Sequence, residues 1–160
     1  MQSASIANIK KELQNVPQEA IIELCLRMAK YKKENKELLN YLLFESTHEQ
    51  NYINTIKTTI TEEFSKVNTA NIFFAKKSIR RIFRLANKYI NYSQLAETEI
   101  QVLVCFCNEM NNLKLSWNKS AAMQNLCGNQ LKKINKAIAS LHEDLQYDYQ
   151  KEIDTLSLFD

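Results

Sequence analysis

The feature that most limits the fold of this chain is its near lack of glycine and proline. Each occurs once, as Gly128 and Pro17, in 160 residues. Tight β-hairpins depend on Gly, Asn-Gly or Asp-Gly because their turns need positive φ angles, and none of these dipeptides occurs here. Phosphate-binding loops of the Walker or dinucleotide type need several glycines for close backbone approach. The composition therefore disfavours hairpin-built sheets and excludes the commonest nucleotide-binding designs.

Apolar residues recur at intervals of three and four, which is the spacing of helices. Residues 49–67 are an example, with Ile53, Ile56, Ile60 and Phe64 on one face. We predict an all-α fold, with about seven or eight helices arranged as antiparallel hairpins in a compact bundle, forming a single domain over residues 1–160. A short α-solenoid of the HEAT or tetratricopeptide kind is the alternative, but no residue pattern recurs at a fixed period.

Two stretches resemble a group of small all-helical bacterial proteins of unknown function. "IKKELQNVPQEAIIELCLRMAKYKKENKELLNYLLFE" is similar to their opening, with a Lys-rich first helix and a Leu-rich second, and "FFAKKSIRRIFRLANKY" is similar to their later basic helix. The likeness covers about half of the chain. It implies an all-helical fold and supplies no catalytic residues.

The chain offers little that predicts a secreted, membrane or metal-binding protein. Its first residues lack the apolar core of a signal peptide, and no apolar run approaches the length of a membrane span, so we predict a cytoplasmic protein without membrane association. Each cysteine has apolar neighbours, which predicts buried thiols. The four are Cys25, Cys105, Cys107 and Cys127. Glu45 and His48 have Glu-x-x-His spacing, but His142 has no acid three residues before it, so a di-metal site of the helical-bundle type is not predicted.

A basic amphipathic helix is predicted over residues 70–91. At about 100° per residue, its cations occupy one flank and its aliphatic residues a face opposite it. We call this flank the basic strip. Its members are Lys76, Lys77, Arg80, Arg81, Arg84 and Lys88. Phe73 and Phe74 project off the main apolar face, where they either pack on a neighbouring helix or remain exposed at an interface.

Several partners would suit the basic strip. Like charges at i, i+4 repel one another, so an opposite charge nearby would relieve the strain. Complementary acids at i, i+4 near the C-terminus are candidates for this role, within the chain or across a dimer. They are Asp144, Asp148 and Glu152. A solvated face, an acidic protein or nucleic-acid phosphates are the other possibilities, and a later helix with Lys132, Lys133 and Lys136 would extend the strip if the two helices are neighbours.

We therefore predict a non-catalytic cytoplasmic interaction module, with the basic helix as its contact surface and self-association or another protein as its partner. A nucleic-acid backbone-binding protein that uses the strip from Lys76 to Lys88 is the alternative. A helical enzyme without a recognisable motif is the least favoured hypothesis. No catalytic, cofactor-binding or metal-ligating residue is predicted, and no cofactor is expected.

Overall fold

The computed structural model describes residues 3–113, 115 and 120–154. These residues form eight α-helices and one π-helical segment, without a strand. The helices are α1 (Ile6–Leu13), α2 (Gln18–Tyr31), α3 (Lys33–Asn40), α4 (Glu49–Ser65), α5 (Ile72–Ser93), α6 (Ala96–Asn112), α7 (Ala121–Ile138) and α8 (Glu143–Asp154), and the π-helical segment is Tyr41–Glu45. The prediction of an all-α fold of about seven or eight helices is confirmed.

The chain divides into two compact units, Met1–Phe44 and Glu45–Asp160. In the first unit α2 packs against α3, and the side-chain amide of Asn35 donates a hydrogen bond of 2.9 Å to the carbonyl oxygen of Met28. No residue of α1, α2 or α3 is buried. The expectation of a single domain stays a prediction.

The second unit is a helical bundle arranged around α6. Helix α6 packs against α4, α5 and α7, and α8 packs against α7. Phe106 of α6 is fully buried, and its ring centroid lies 5.4 Å from that of Phe64 on α4 and 5.4 Å from that of Phe83 on α5. Ring contacts of this kind add to the free energy gained by burying apolar surface. They hold three helices at one point of the core.

A polar cluster joins the start of α4 to the junction between α5 and α6. Ser93 donates a hydrogen bond of 2.5 Å to a carboxylate oxygen of Glu49, and the buried hydroxyl of Thr98 donates to the same oxygen. Ser93 also accepts a hydrogen bond of 3.3 Å from the backbone N–H of Leu95. The cluster fixes the C-terminal end of α5 against its neighbours, because a carboxylate removed from water needs such donors.

A second polar network places α8. The ammonium group of Lys57 on α4 donates to the side-chain oxygen of Gln101 on α6 at 2.8 Å. The amide nitrogen of Gln101 donates to the hydroxyl of Tyr149 on α8 at 3.1 Å, and that hydroxyl lies 3.5 Å from the Glu97 carboxylate. Burial raises the pKa of Tyr149, and the charges of Glu97 and Glu152 act in the same direction.

None of the helices in the described part of the chain is both long and apolar enough to cross a membrane.

Candidate interaction surface

The basic strip lies on a helix whose opposite face is anchored in the core. Five residues of α5 are buried there, at intervals of three and four. They are Ala75, Ile79, Ile82, Ala86 and Ile90. Because this face is held against α4 and α6, the flank that carries the cations keeps a fixed direction.

Local interactions explain where α5 begins and where it ends. The side-chain oxygen of Asn71 accepts hydrogen bonds from the backbone N–H groups of Phe73 and Phe74, at 2.9 and 3.4 Å. Such capping satisfies donors that the first helical turn leaves free, so the helix begins at Ile72, two residues later than predicted. It ends at Ser93 because Gln94 has the left-handed conformation, with φ of 58°.

Most of the basic strip is open to solvent. Lys77, Arg80, Arg81 and Arg84 are exposed, whereas Lys76 and Lys88 are half-buried. The ammonium group of Lys88 lies 4.7 Å from the ring centroid of Tyr89, in a cation–π contact. The structure therefore places all six predicted residues on one helix and leaves four of them accessible to a partner.

An acid of the neighbouring helix α4 contacts the strip. A carboxylate oxygen of Glu63 lies 2.6 Å from the guanidinium of Arg81, and the other lies 2.7 Å from the ammonium group of Lys66. The hydrogen bond from Lys66 lowers the pKa of Glu63 from its ordinary value, and the charges of Arg81 and Lys66 add to this effect, while burial opposes it. The sequence does not predict Glu63 as a partner of the strip, because its position gives no sign of which helix packs beside α4.

Glu63 also lines a shallow depression of about 430 Å³ beside the strip. Three of the strip cations, Arg81, Arg84 and Lys88, share this lining with Ile82 and Leu85. The depression therefore combines positive charge, one carboxylate and apolar surface.

Helix α7 contributes another cation next to the strip. The ammonium group of Lys133 lies 3.3 Å from the side-chain oxygen of Asn87 and 5.6 Å from the ring centroid of Phe83, both on α5. At about 100° per residue, Asn87 lies next to the flank that begins at Lys76. Lys133 thus extends the basic strip, as the sequence predicts for neighbouring helices.

The first turn of α5 adds an exposed aromatic pair. The rings of Phe73 and Phe74 meet edge to face, with centroids 5.8 Å apart. Their side chains are 70% and 53% exposed. Large apolar side chains in this state are common where proteins dock. The pair lies immediately before Lys76 and Lys77, so cations and aromatic rings adjoin on one surface.

The acids predicted to complement the strip lie on α8. Asp144 and Asp148 are exposed, and a carboxylate oxygen of Asp144 lies 3.5 Å from the imidazole of His142. Helix α8 packs against α7, and Tyr149 directs it towards Gln101 and Glu97 on α6. The pairing of Asp144, Asp148 and Glu152 with the strip, within one chain or between two, stays a prediction.

The cysteines differ in their surroundings. Cys107 and Cys127 are buried and hydrogen-bonded to one another, whereas Cys105 is half-buried and Cys25 is exposed. The prediction that all four are buried core residues is therefore wrong for Cys25 and only partly met by Cys105. Its neighbours Leu24 and Leu26 are themselves exposed, because the first unit buries no residue of α2. Burial raises the pKa of Cys105, and the hydrogen bond with Cys127 and burial raise that of Cys107.

Within the described residues, no three His, Cys, Asp or Glu side chains come together in a way that could hold a metal ion. No family model matches the chain, and comparisons with curated proteins and with solved structures find no significant match. The resemblance to small helical bacterial proteins stays a hypothesis.

Proposed function

We propose that this protein is a non-catalytic interaction module of the cytoplasm, and that the basic strip and the phenylalanine pair of α5 together bind an acidic surface of a protein partner. The observation that carries the proposal is the exposure of Phe73 and Phe74 on the same core-anchored helix as exposed Lys77 and three exposed arginines.

Aromatic residues and arginine are the side chains most enriched at protein interfaces and their hot spots. A helix with a buried reverse face loses little conformational entropy when its outer face is covered, so binding is not weakened by ordering of the backbone. The ion pair between Glu63 and Arg81 favours a protein over a polyanion, because a carboxylate beside the strip opposes a continuous row of phosphates.

Site-specific photo-crosslinking in living cells tests the proposal. A photoreactive amino acid replaces Lys77, which is exposed on the strip, or Thr58, which is exposed on α4 and serves as the control. We expect a protein adduct from position 77 that is lost when Arg80→Glu and Arg84→Glu are introduced. We expect position 58 to give no adduct that depends on these substitutions.

The composition of the adduct decides between the hypotheses. An adduct removed by nuclease, together with a salt slope of about −5 in log K for about six phosphate contacts, would favour the nucleic-acid alternative and contradict a protein partner. An adduct of two copies of this chain would identify self-association, which light scattering would check independently.

Stability measurements on the same variant distinguish a binding strip from one that pairs internally. Arg80 and Arg84 are exposed, so the double reversal is expected to change the free energy of unfolding by no more than about 0.5 kcal/mol per site. A larger loss would show that these charges stabilise the fold.

A further inference from the structure

An apolar groove lies within the first unit, between α2, α3 and the residues that follow α3. Its volume is about 650 Å³, within the range of pockets that bind ligands and peptide side chains. The floor is formed by aliphatic and aromatic residues from both helices and from the π-helical segment. They are Leu26, Ala29, Leu39, Leu43 and Phe44.

All the charged residues that line this groove are lysines. They are Lys30, Lys32, Lys33 and Lys36. Lys33 has an acidic neighbour in the same unit, since its ammonium group lies 3.7 Å from a carboxylate oxygen of Glu37. Lysine side chains extend their apolar stems along such a surface while their ammonium groups remain in water. The groove therefore has an apolar floor and a positive rim.

The helices of the first unit, α1, α2 and α3, contain no buried residue. Leu26, Leu43 and Phe44 are 43%, 62% and 67% exposed. Segments of about 40 residues seldom bury enough apolar surface to be stable alone. A helix laid into the groove would remove these side chains from water and supply the missing burial.

We propose that the groove binds an acidic amphipathic helix of a partner protein. The floor takes apolar side chains spaced at i, i+3, i+4 and i+7, as in other complexes of a helix in a groove. The lysine rim pairs with carboxylates on the flanks of that helix. A second copy of the same unit is a poor occupant, because four lysines would face four lysines and like charges repel. This surface shares no residue with the basic strip on α5.

The test uses the full chain and a fluorescent peptide of about five helical turns, with leucine at the anchor positions and glutamate on both flanks. Leu26 and Leu24 form a matched pair, because both lie on α2 and both are 43% exposed, but only Leu26 lines the groove. We expect Leu26→Glu to weaken binding by about tenfold or more, the cost of losing a central anchor. We expect Leu24→Glu to change binding by less than about twofold, as for a residue outside the contact.

Charge provides a second matched comparison. Reversing Lys32 and Lys36 to Glu is expected to weaken binding about tenfold and to reduce its salt dependence, whereas reversing Lys10 and Lys11 on α1 is expected to leave it within about twofold. A peptide with lysine in place of glutamate is expected not to bind.

An acidic peptide also suits the basic strip, so binding is repeated with Arg80→Glu and Arg84→Glu. Affinity retained in this variant and lost in Leu26→Glu supports the groove. Affinity lost with the strip and retained in Leu26→Glu overturns the groove as the docking site, and leaves the function proposed for the strip intact. Three other results would contradict an acidic helix as the occupant of the groove. The peptide does not bind, or Leu24→Glu and Leu26→Glu weaken its binding equally. The third is a dimer, seen by light scattering, that only Leu26→Glu dissociates.

Discussion

The four cysteines of this protein differ in their exposure to solvent. Cys25 is exposed on α2, whereas Cys107 and Cys127 are buried. A thiol reacts as its thiolate. Burial raises the pKa of Cys105, and the hydrogen bond that Cys107 donates to Cys127, together with burial, raises the pKa of Cys107, so these two thiols are protonated at neutral pH. The same hydrogen bond lowers the pKa of Cys127, but burial shields that thiol from reagents.

We therefore expect an aromatic disulfide reagent to label one cysteine of the native protein rapidly and the others at least about tenfold more slowly. Absorbance of the released thiolate measures the rates, and intact mass counts the labels. Cys25→Ser should abolish the rapid phase, whereas Cys105→Ser should leave it. A rapid phase that survives in Cys25→Ser would show that a thiol of the second unit is accessible.

For single residues, apolar neighbours in the sequence predict burial of a side chain only where the surrounding unit forms a core. Local apolar neighbours predict that Cys107 and Cys127 are buried, and they are. The same signal misleads for Cys25, because Leu24 and Leu26 beside it are also exposed. Whether an apolar residue is covered depends on the area that the whole unit can bury, which no short stretch of sequence contains.

Helix α5 is the element whose properties the sequence predicts best. Its helical period, its buried face and its six cations follow from residues that are close in the chain. The ion pair with Glu63 does not follow, and the extension by Lys133 follows only if the two helices are neighbours, because both depend on how the helices pack. The sequence instead predicts that acids spaced at i, i+4 on α8 complement the strip, because a sequence shows the spacing within a helix but not the packing between helices.

The pair between Glu63 and Arg81 couples α4 to α5 in a pH-dependent manner. The pKa of Glu63 in the folded protein lies below the ordinary value of 4.5, chiefly through the hydrogen bond from Lys66. A carboxyl group with a lowered folded-state pKa stabilises the protein fully above its unfolded-state pKa. This contribution is lost as the pH falls through the folded-state value.

Glu63→Gln should therefore lower the free energy of unfolding at pH 7, and the difference from the unsubstituted protein should shrink below about pH 4.5. Urea unfolding at pH 7 and pH 3 measures both quantities. Glu62→Gln, at the exposed neighbouring position, is the control and should show a difference of less than about 0.5 kcal/mol at pH 7. A Glu63→Gln effect that is equal at the two pH values would assign it to packing and not to charge.

On the scale of the whole molecule, the two units differ in how they bury apolar surface. Residues 45–160 contain the packed core around α6, in which Phe64 and Phe83 both contact Phe106. Residues 1–44 contain three helices without a buried side chain in any of them. Neither the length nor the composition of the chain reveals that exposed apolar residues are concentrated before residue 45, and the prediction of one domain stays a prediction.

A fragment of residues 45–160 is expected to fold alone, because α4 to α8 supply one another's core. Its urea unfolding should be cooperative, with a midpoint and a slope close to those of the main transition of the full chain, because the same core unfolds in both proteins. Far-UV circular dichroism measures the transition in both proteins. An unfolded fragment would show that the first unit is needed for the second to fold, and would support a single cooperative domain over residues 1–160.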